Sequence, residues 1–134
     1  MKKKQIAIFC ENLYGGGVER ILQIILKNFD YSKFEITLYS NKKEVLYENY
    51  YPNNIKYNYI FETIPQKSKF KSFCCKFKNK IKLWVYYNYN TQIFYKLFIH
   101  KKYDIGIAFI EGYSTRLVAG MPNNTPKIAW VHTD

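Results

Sequence analysis

An apolar run, Ile6-Ala7-Ile8-Phe9-Cys10, gives way to Tyr14-Gly15-Gly16-Gly17-Val18-Glu19-Arg20. From there the apolar residues Val18, Ile21, Leu22, Ile25 and Phe29 fall at i, i+3, i+4, i+7 and i+11. Apolar residues at that spacing form one stripe of an amphipathic helix, so a strand is followed by a helix with three glycines at its N-terminus. Unpaired backbone N–H groups and the positive end of the helix dipole meet there, and glycine keeps side chains out of an anion's way. The spacing is not G-x-G-x-x-G, because Arg20 stands three residues after Gly17, and it lacks the Gly-Lys-Ser/Thr of a P-loop. Two readings remain open: a turn that faces a phosphate, or a plain turn whose glycines serve positive φ and tight packing.

Strand and helix patterns alternate along the rest of the chain. Phe34 to Ser40 reads as a second strand, Lys43 to Tyr50 as a short helix or turn, and Ile55 to Phe61 as a third, peripheral strand. A helical region runs from Gln66 to about Ile99, its second part, Tyr86 to Phe98, facing the core through Ile93, Phe94, Leu97 and Phe98. His100 reads as a cap or solvated residue. Tyr103 to Ile110 reads as a buried strand, Ile105 to Ile110 being continuous and apolar, as in a sheet covered on both faces. It leads into Glu111-Gly112-Tyr113-Ser114-Thr115, polar residues at the carboxyl end of a strand, where open α/β sheets bind ligands. A helix from about Ser114 to Ala119 follows. The last strand, Lys127 to Val131, delivers His132-Thr133-Asp134 at its end.

Charge is distributed unevenly. No Asp or Glu lies between Glu62 and Asp104, an interval that holds ten lysines, and the formal net charge is +11. A cationic block of this kind meets an anionic surface. Within it Phe70, Phe73, Phe77, Ile81 and Trp84 repeat at three or four residues, with Lys67, Lys69, Lys71, Lys76, Lys78, Lys80 and Lys82 between them. Aromatic and cationic faces so arranged match a helix lying in a bilayer interface. The alternative is a helix whose aromatic stripe packs on the sheet; lysine density without carboxylates favours the membrane. Nucleic acid is disfavoured as a partner because Arg20 and Arg116 are the only arginines.

The chain of 134 residues fits a single domain. The lysines at positions 2–4 precede too short an apolar run for an export signal, and no run approaches the roughly 20 apolar residues of a spanning helix. Cys10, Cys74 and Cys75 form no C-x-x-C pair, which suits a reducing cytosol and gives no metal spacing. Cys74 and Cys75 read as small buried apolar residues rather than acylation sites.

Taken in order, the glycine segment, Tyr103 to Gly112, and Lys127 to Asp134 resemble the N-terminal domain of a family 4 glycosyltransferase of the GT-B fold. The resemblance spans the chain and implies a Rossmann-like, mostly parallel sheet with helices on both faces. It also implies transfer of a sugar, with retention, from a nucleotide diphosphate-sugar to a sugar or lipid-linked acceptor, with no required metal or other cofactor. The absence of Asp-x-Asp disfavours a metal-dependent GT-A enzyme. By the same resemblance Gly15, Gly16 and Gly17 face the donor diphosphate, His132 lies by the transferred sugar as the catalytic candidate, and Glu111, Tyr113, Ser114 and Asp134 face substrate.

The donor grip belongs to a second domain, so these residues hold half of a catalyst and little transfer is expected from them alone. A cytoplasmic location, peripheral on the inner face of the cell membrane, and a place in envelope or capsule glycan assembly are expected from the basic face together with the same resemblance. Two alternatives stand beside it: a non-catalytic basic module for membrane or nucleic acid, and a remnant that pairs with another chain.

Overall fold

The computed structural model describes residues 2–13, 16–43, 50–65 and 68–131. Five strands form one all-parallel sheet: β1 (Lys4–Phe9), β2 (Phe34–Ser40), β3 (Lys56–Tyr59), β4 (Ile105–Ala108) and β5 (Lys127–Ala129), in the spatial order β3-β2-β1-β4-β5. Four helices are described: α1 (Gly17–Lys27), α2 (Lys69–Asn88), α3 (Thr91–Phe98) and α4 (Tyr113–Ala119). The fold is α/β and Rossmann-like, with helices on both faces. The expected short helix over 43–50 falls almost wholly on residues 44–49, outside the described set.

The central strands are apolar on both sides, and their two-residue alternation divides the core in two. Ile6, Ile8, Ile36 and Leu38 point to one face, where Leu22 and Leu26 of α1 cover them. Ala7, Phe9, Tyr39 and Ala108 point to the other, against Val85 and Tyr86 of α2, Phe94 and Tyr95 of α3, and Leu117 and Val118 of α4. On this second face Phe9 stacks on Tyr39 at 4.7 Å, and the Tyr39 and Tyr103 hydroxyls share a buried hydrogen bond of 2.8 Å. As expected, β3 is peripheral, an edge strand.

Four expectations change in detail. The helical region divides at Tyr89-Asn90, where the Asn90 side chain accepts from the Gln92 N–H at 2.9 Å and starts α3 as a separate helix. Ile93 and Leu97 are exposed rather than core-facing, because Phe94 and Tyr95 take the inner positions of a helix only eight residues long. Along α1 the buried line is Leu22 and Leu26, and Ile21 is exposed. Cys74 and Cys75 are half-buried rather than buried. His100 is exposed, and its N–H donates to the Tyr95 carbonyl at 2.8 Å, closing α3 with φ +39°.

Candidate functional site

Where β1 and β4 lie side by side, their following helices leave for opposite faces: α1 covers Ile6 and Ile8, whereas α4 packs against Ala7 and Phe9. Such a divergence is the switch point at which open α/β sheets bind ligands, beyond the carboxyl ends of the two strands. Pairing carries one step past the strands, with Phe109 N–H donating to Phe9 O at 2.9 Å and Trp130 N–H to Ala108 O at 2.8 Å. The chain beyond that step flanks the switch point: 11–13 and 16–17 after β1, and 110–114 after β4.

On the β1 side Gly16 is the N-cap of α1 in extended backbone, φ −77° and ψ 179°, and its carbonyl accepts the Arg20 N–H at 3.1 Å. It shows no positive φ. Around Gly17 there is open space, with no atom within 4 Å of where a Cβ would stand. Positive φ at Gly16 and close packing at Gly17 are therefore not what these two positions require. Glu19, in the first turn, folds back so that its carboxylate lies 2.5 Å from the Cβ position of Gly16. A carboxylate there is stabilised by the helix dipole and occupies the ground an incoming phosphate would use. Below it, burial and the nearby Glu19 charge push the Cys10 thiol up to about 12, and its Sγ donates to the Asn12 carbonyl at 3.1 Å. Cys10 is an inert thiol under the turn.

On the β4 side Gly112 takes φ +86° and ψ −112°, a conformation that residues with a Cβ rarely adopt. That turn leaves Glu111 exposed and starts α4 with Tyr113 and Ser114 facing inward. Both hydroxyls are buried and have no hydrogen-bond partner among the described residues. A buried hydroxyl without a partner costs about 1–3 kcal/mol; Thr37 and Tyr51 carry others among the described residues, and Tyr113 and Ser114 are two that follow a strand end. The Tyr113 ring lies 4.6 Å from Tyr86 and 6.3 Å from Phe61. Burial raises the Tyr113 pKa, which keeps its phenol neutral and able to donate. Arg116 sets its guanidinium 4.3 Å over the Tyr86 ring and donates to the Tyr86 carbonyl at 3.2 Å, tying α2 to α4 beside the switch point.

Of the sequence-predicted site residues, Gly16, Gly17, Glu111, Tyr113 and Ser114 sit on these two sides, while Gly15, His132 and Asp134 lie outside the described residues. Tyr86, Phe61 and Arg116 were not anticipated. Their contacts with Tyr113 and with one another join positions 25 or more residues apart, except for Arg116 within α4, and no local pattern announces them.

The residues predicted to meet a membrane lie on α2, apart from Lys67, which is outside the described set. Phe70, Phe73, Phe77 and Trp84 are 77, 68, 58 and 56 % exposed, and Ile81 is exposed as well. The stripe does not pack on the sheet. Lys69, Lys71, Lys76, Lys78 and Lys80 are exposed, with Lys78 paired to Glu62 at 3.4 Å; Lys82 turns inward and donates to the Ile60 carbonyl at 2.8 Å.

A depression of about 730 Å³ lies toward the amino ends of β4 and β5, lined by Tyr95, His100, Lys101, Met121 and Asn123 among others. It borders the segments that lead into β4 and β5 rather than those that leave them, so it is remote from the switch point. Among the described residues no cluster of His, Cys, Asp or Glu could hold a metal ion, and no helix is long and apolar enough to cross a membrane. Comparison with protein-family models, curated proteins and solved structures gave no significant match.

Proposed function

We propose that the chain forms the acceptor-side wall of a sugar-transfer cleft, as the N-terminal domain of a retaining GT-B glycosyltransferase of family 4 whose donor grip comes from a second domain. The observation that carries this reading is the topological switch point between β1 and β4. There the N-terminus of α1, with open space at Gly17 and the Glu19 carboxylate over Gly16, and the turn into α4, with the unpartnered hydroxyls of Tyr113 and Ser114, follow adjacent strands. In this reading the N–H groups at Gly16 and Gly17 stabilise the negative charge that grows on the diphosphate as the glycosidic C–O bond breaks, more in the transition state than before it. Tyr113 and Ser114 hold acceptor hydroxyls, Glu111 and Asp134 accept from them, and His132 orients the transferred sugar. Glu19 is displaced from the helix N-terminus when the diphosphate arrives.

The test is an amide-resolved NMR titration of the chain with uridine diphosphate and its sugar conjugates. Shifts concentrated at Gly16, Gly17 and 111–115 are expected, with binding tightened several-fold in Glu19→Gln, which removes the competing charge. Shifts confined to the depression around His100 and Lys101, or none at millimolar ligand, would overturn the proposal.

A further inference from the structure

The aromatic stripe of α2 is turned to solvent because the helix is attached to the domain by its polar side. Facing the body, the Asn79 amide brackets the Glu62 backbone, accepting from its N–H at 3.0 Å and donating to its carbonyl at 2.9 Å. Cys75 Sγ donates to the Glu62 carboxylate at 3.4 Å, and Lys82 binds the Ile60 carbonyl. At about 100° per residue, Ser72, Cys75, Asn79 and Lys82 fall on one line of the helix, and Phe70, Phe73, Phe77, Ile81 and Trp84 centre roughly 170° away. Lys69, Lys76 and Lys80 run along one border of that stripe, and Lys71 and Lys78 along the other. The twenty residues of α2 include no Asp or Glu.

We propose that α2 is an in-plane membrane anchor: an anionic phospholipid surface covers the Phe70–Trp84 stripe, with the bordering lysines on lipid phosphates. Charge complementarity selects this occupant. A second copy would bring lysine against lysine with no carboxylate on the helix to answer it, whereas an anionic leaflet supplies the countercharge on both borders while the rings enter the acyl boundary. Lysine stems lying along the apolar stripe can still hold their ammonium groups at headgroup level. Tyr86 occupies the opposite side of the same helix from Trp84 and packs on Tyr113. The switch point thus stands about one helix diameter, roughly 10 Å, from the lipid surface. The anchor depends only on α2 and not on the sugar-transfer reading.

Co-sedimentation of the chain with vesicles tests it, using phosphatidylcholine alone and phosphatidylcholine mixed with phosphatidylglycerol. Binding is expected to the mixed vesicles and to fall as salt rises from about 0.1 M to about 0.5 M. Lys69→Gln/Lys76→Gln/Lys80→Gln should weaken it about 100-fold, and Phe73→Ser/Phe77→Ser about 10-fold or more. In a Trp130→Phe background, Trp84 emission should shift to the blue and be quenched by brominated acyl chains. Because the substituted side chains are exposed, far-UV circular dichroism should stay at the parent value; should either multiple variant unfold, the Trp84 quenching decides alone. Equal binding to both vesicle types, no binding, a self-association abolished by Phe77→Ser, or displacement from vesicles by an oligonucleotide would each overturn the proposal.

Discussion

Gly112 holds the turn between β4 and α4, and replacing it by alanine separates backbone strain from crowding. No atom lies within 4 Å of the Cβ position, so the added methyl meets nothing and the penalty comes from the backbone alone. Holding a residue with a Cβ in a sparsely populated region costs about 1–3 kcal/mol. Alanine also narrows the unfolded ensemble, which returns about 0.4–1 kcal/mol. The net loss is about 1–2 kcal/mol, a fall in Tm of roughly 3–10 °C for a domain of this size.

Asparagine sharpens the test. It tolerates the left-handed helical region, but with ψ at −112° this residue lies outside that region, so Gly112→Asn should be no better than Gly112→Ala. Gly17→Ala is the control: equally open space within the first turn of a helix, where alanine should be neutral or stabilising by up to about 1 kcal/mol. Urea unfolding followed by circular dichroism reads all three. Parent-like stability in Gly112→Ala, or rescue by asparagine, would refute the assignment of glycine to backbone need at 112. A turn that relaxes in Gly112→Ala should also lose the nucleotide-induced shifts at 113 and 114.

Gly120→Ala tests crowding instead: its methyl would lie 2.7 Å from the Thr91 carbonyl carbon, so α3 and α4 must separate, at about 1–3 kcal/mol by the same unfolding measurement, and an unchanged urea midpoint would contradict this. Native alkylation at pH 8, read by mass spectrometry, should modify the half-buried Cys74 and spare Cys10, whose thiol is buried and held protonated; early labelling of Cys10 would show that the β1 turn opens. Because the Cys10 value is raised in the folded state, its contribution to stability is complete below about 9 and is lost as pH rises toward about 12, and titration of the unfolding midpoint over that window should show the decline. Glu62 behaves oppositely. Its desolvation is outweighed by the Cys75 hydrogen bond and the Lys78 and Lys82 charges, so its pKa is lowered; the stability it adds is present above the ordinary carboxylate range, and the protection factors of α2 amides, corrected for the intrinsic exchange rate, should fall as pH drops through the lowered value.

The central strands were legible in the chain because burial on both faces leaves an apolar run in β1 and β4, while β2 shows in its β-branched and aromatic content. Strand ends were less so: β4 is Ile105–Ala108 where the expected strand runs from Tyr103 to Ile110, since the apolar residues Phe109 and Ile110 continue past the strand. Periodicity found the stripe of α2 but could not say what covers it. An aromatic face packed on a sheet and one turned to solvent have the same spacing, and only the polar attachment of Ser72-side residues to 60–62 distinguishes them. For the candidate site, the positions at strand ends were readable from order alone. That the Tyr113 and Ser114 hydroxyls lack described partners, and that Glu19 folds over Gly16, depends on tertiary placement.

The polar underside of α2 also divides the molecule mechanically. Its last turn is anchored by Val85 and Tyr86 in the core, whereas the preceding turns are attached at 60–62 through a few hydrogen bonds, each contributing about 1 kcal/mol. Opening those turns exposes little apolar surface that was not already exposed, so the free energy of opening lies far below that of global unfolding. Hydrogen exchange should therefore be less protected in the first turns of α2 than in its last turn and in the central strands.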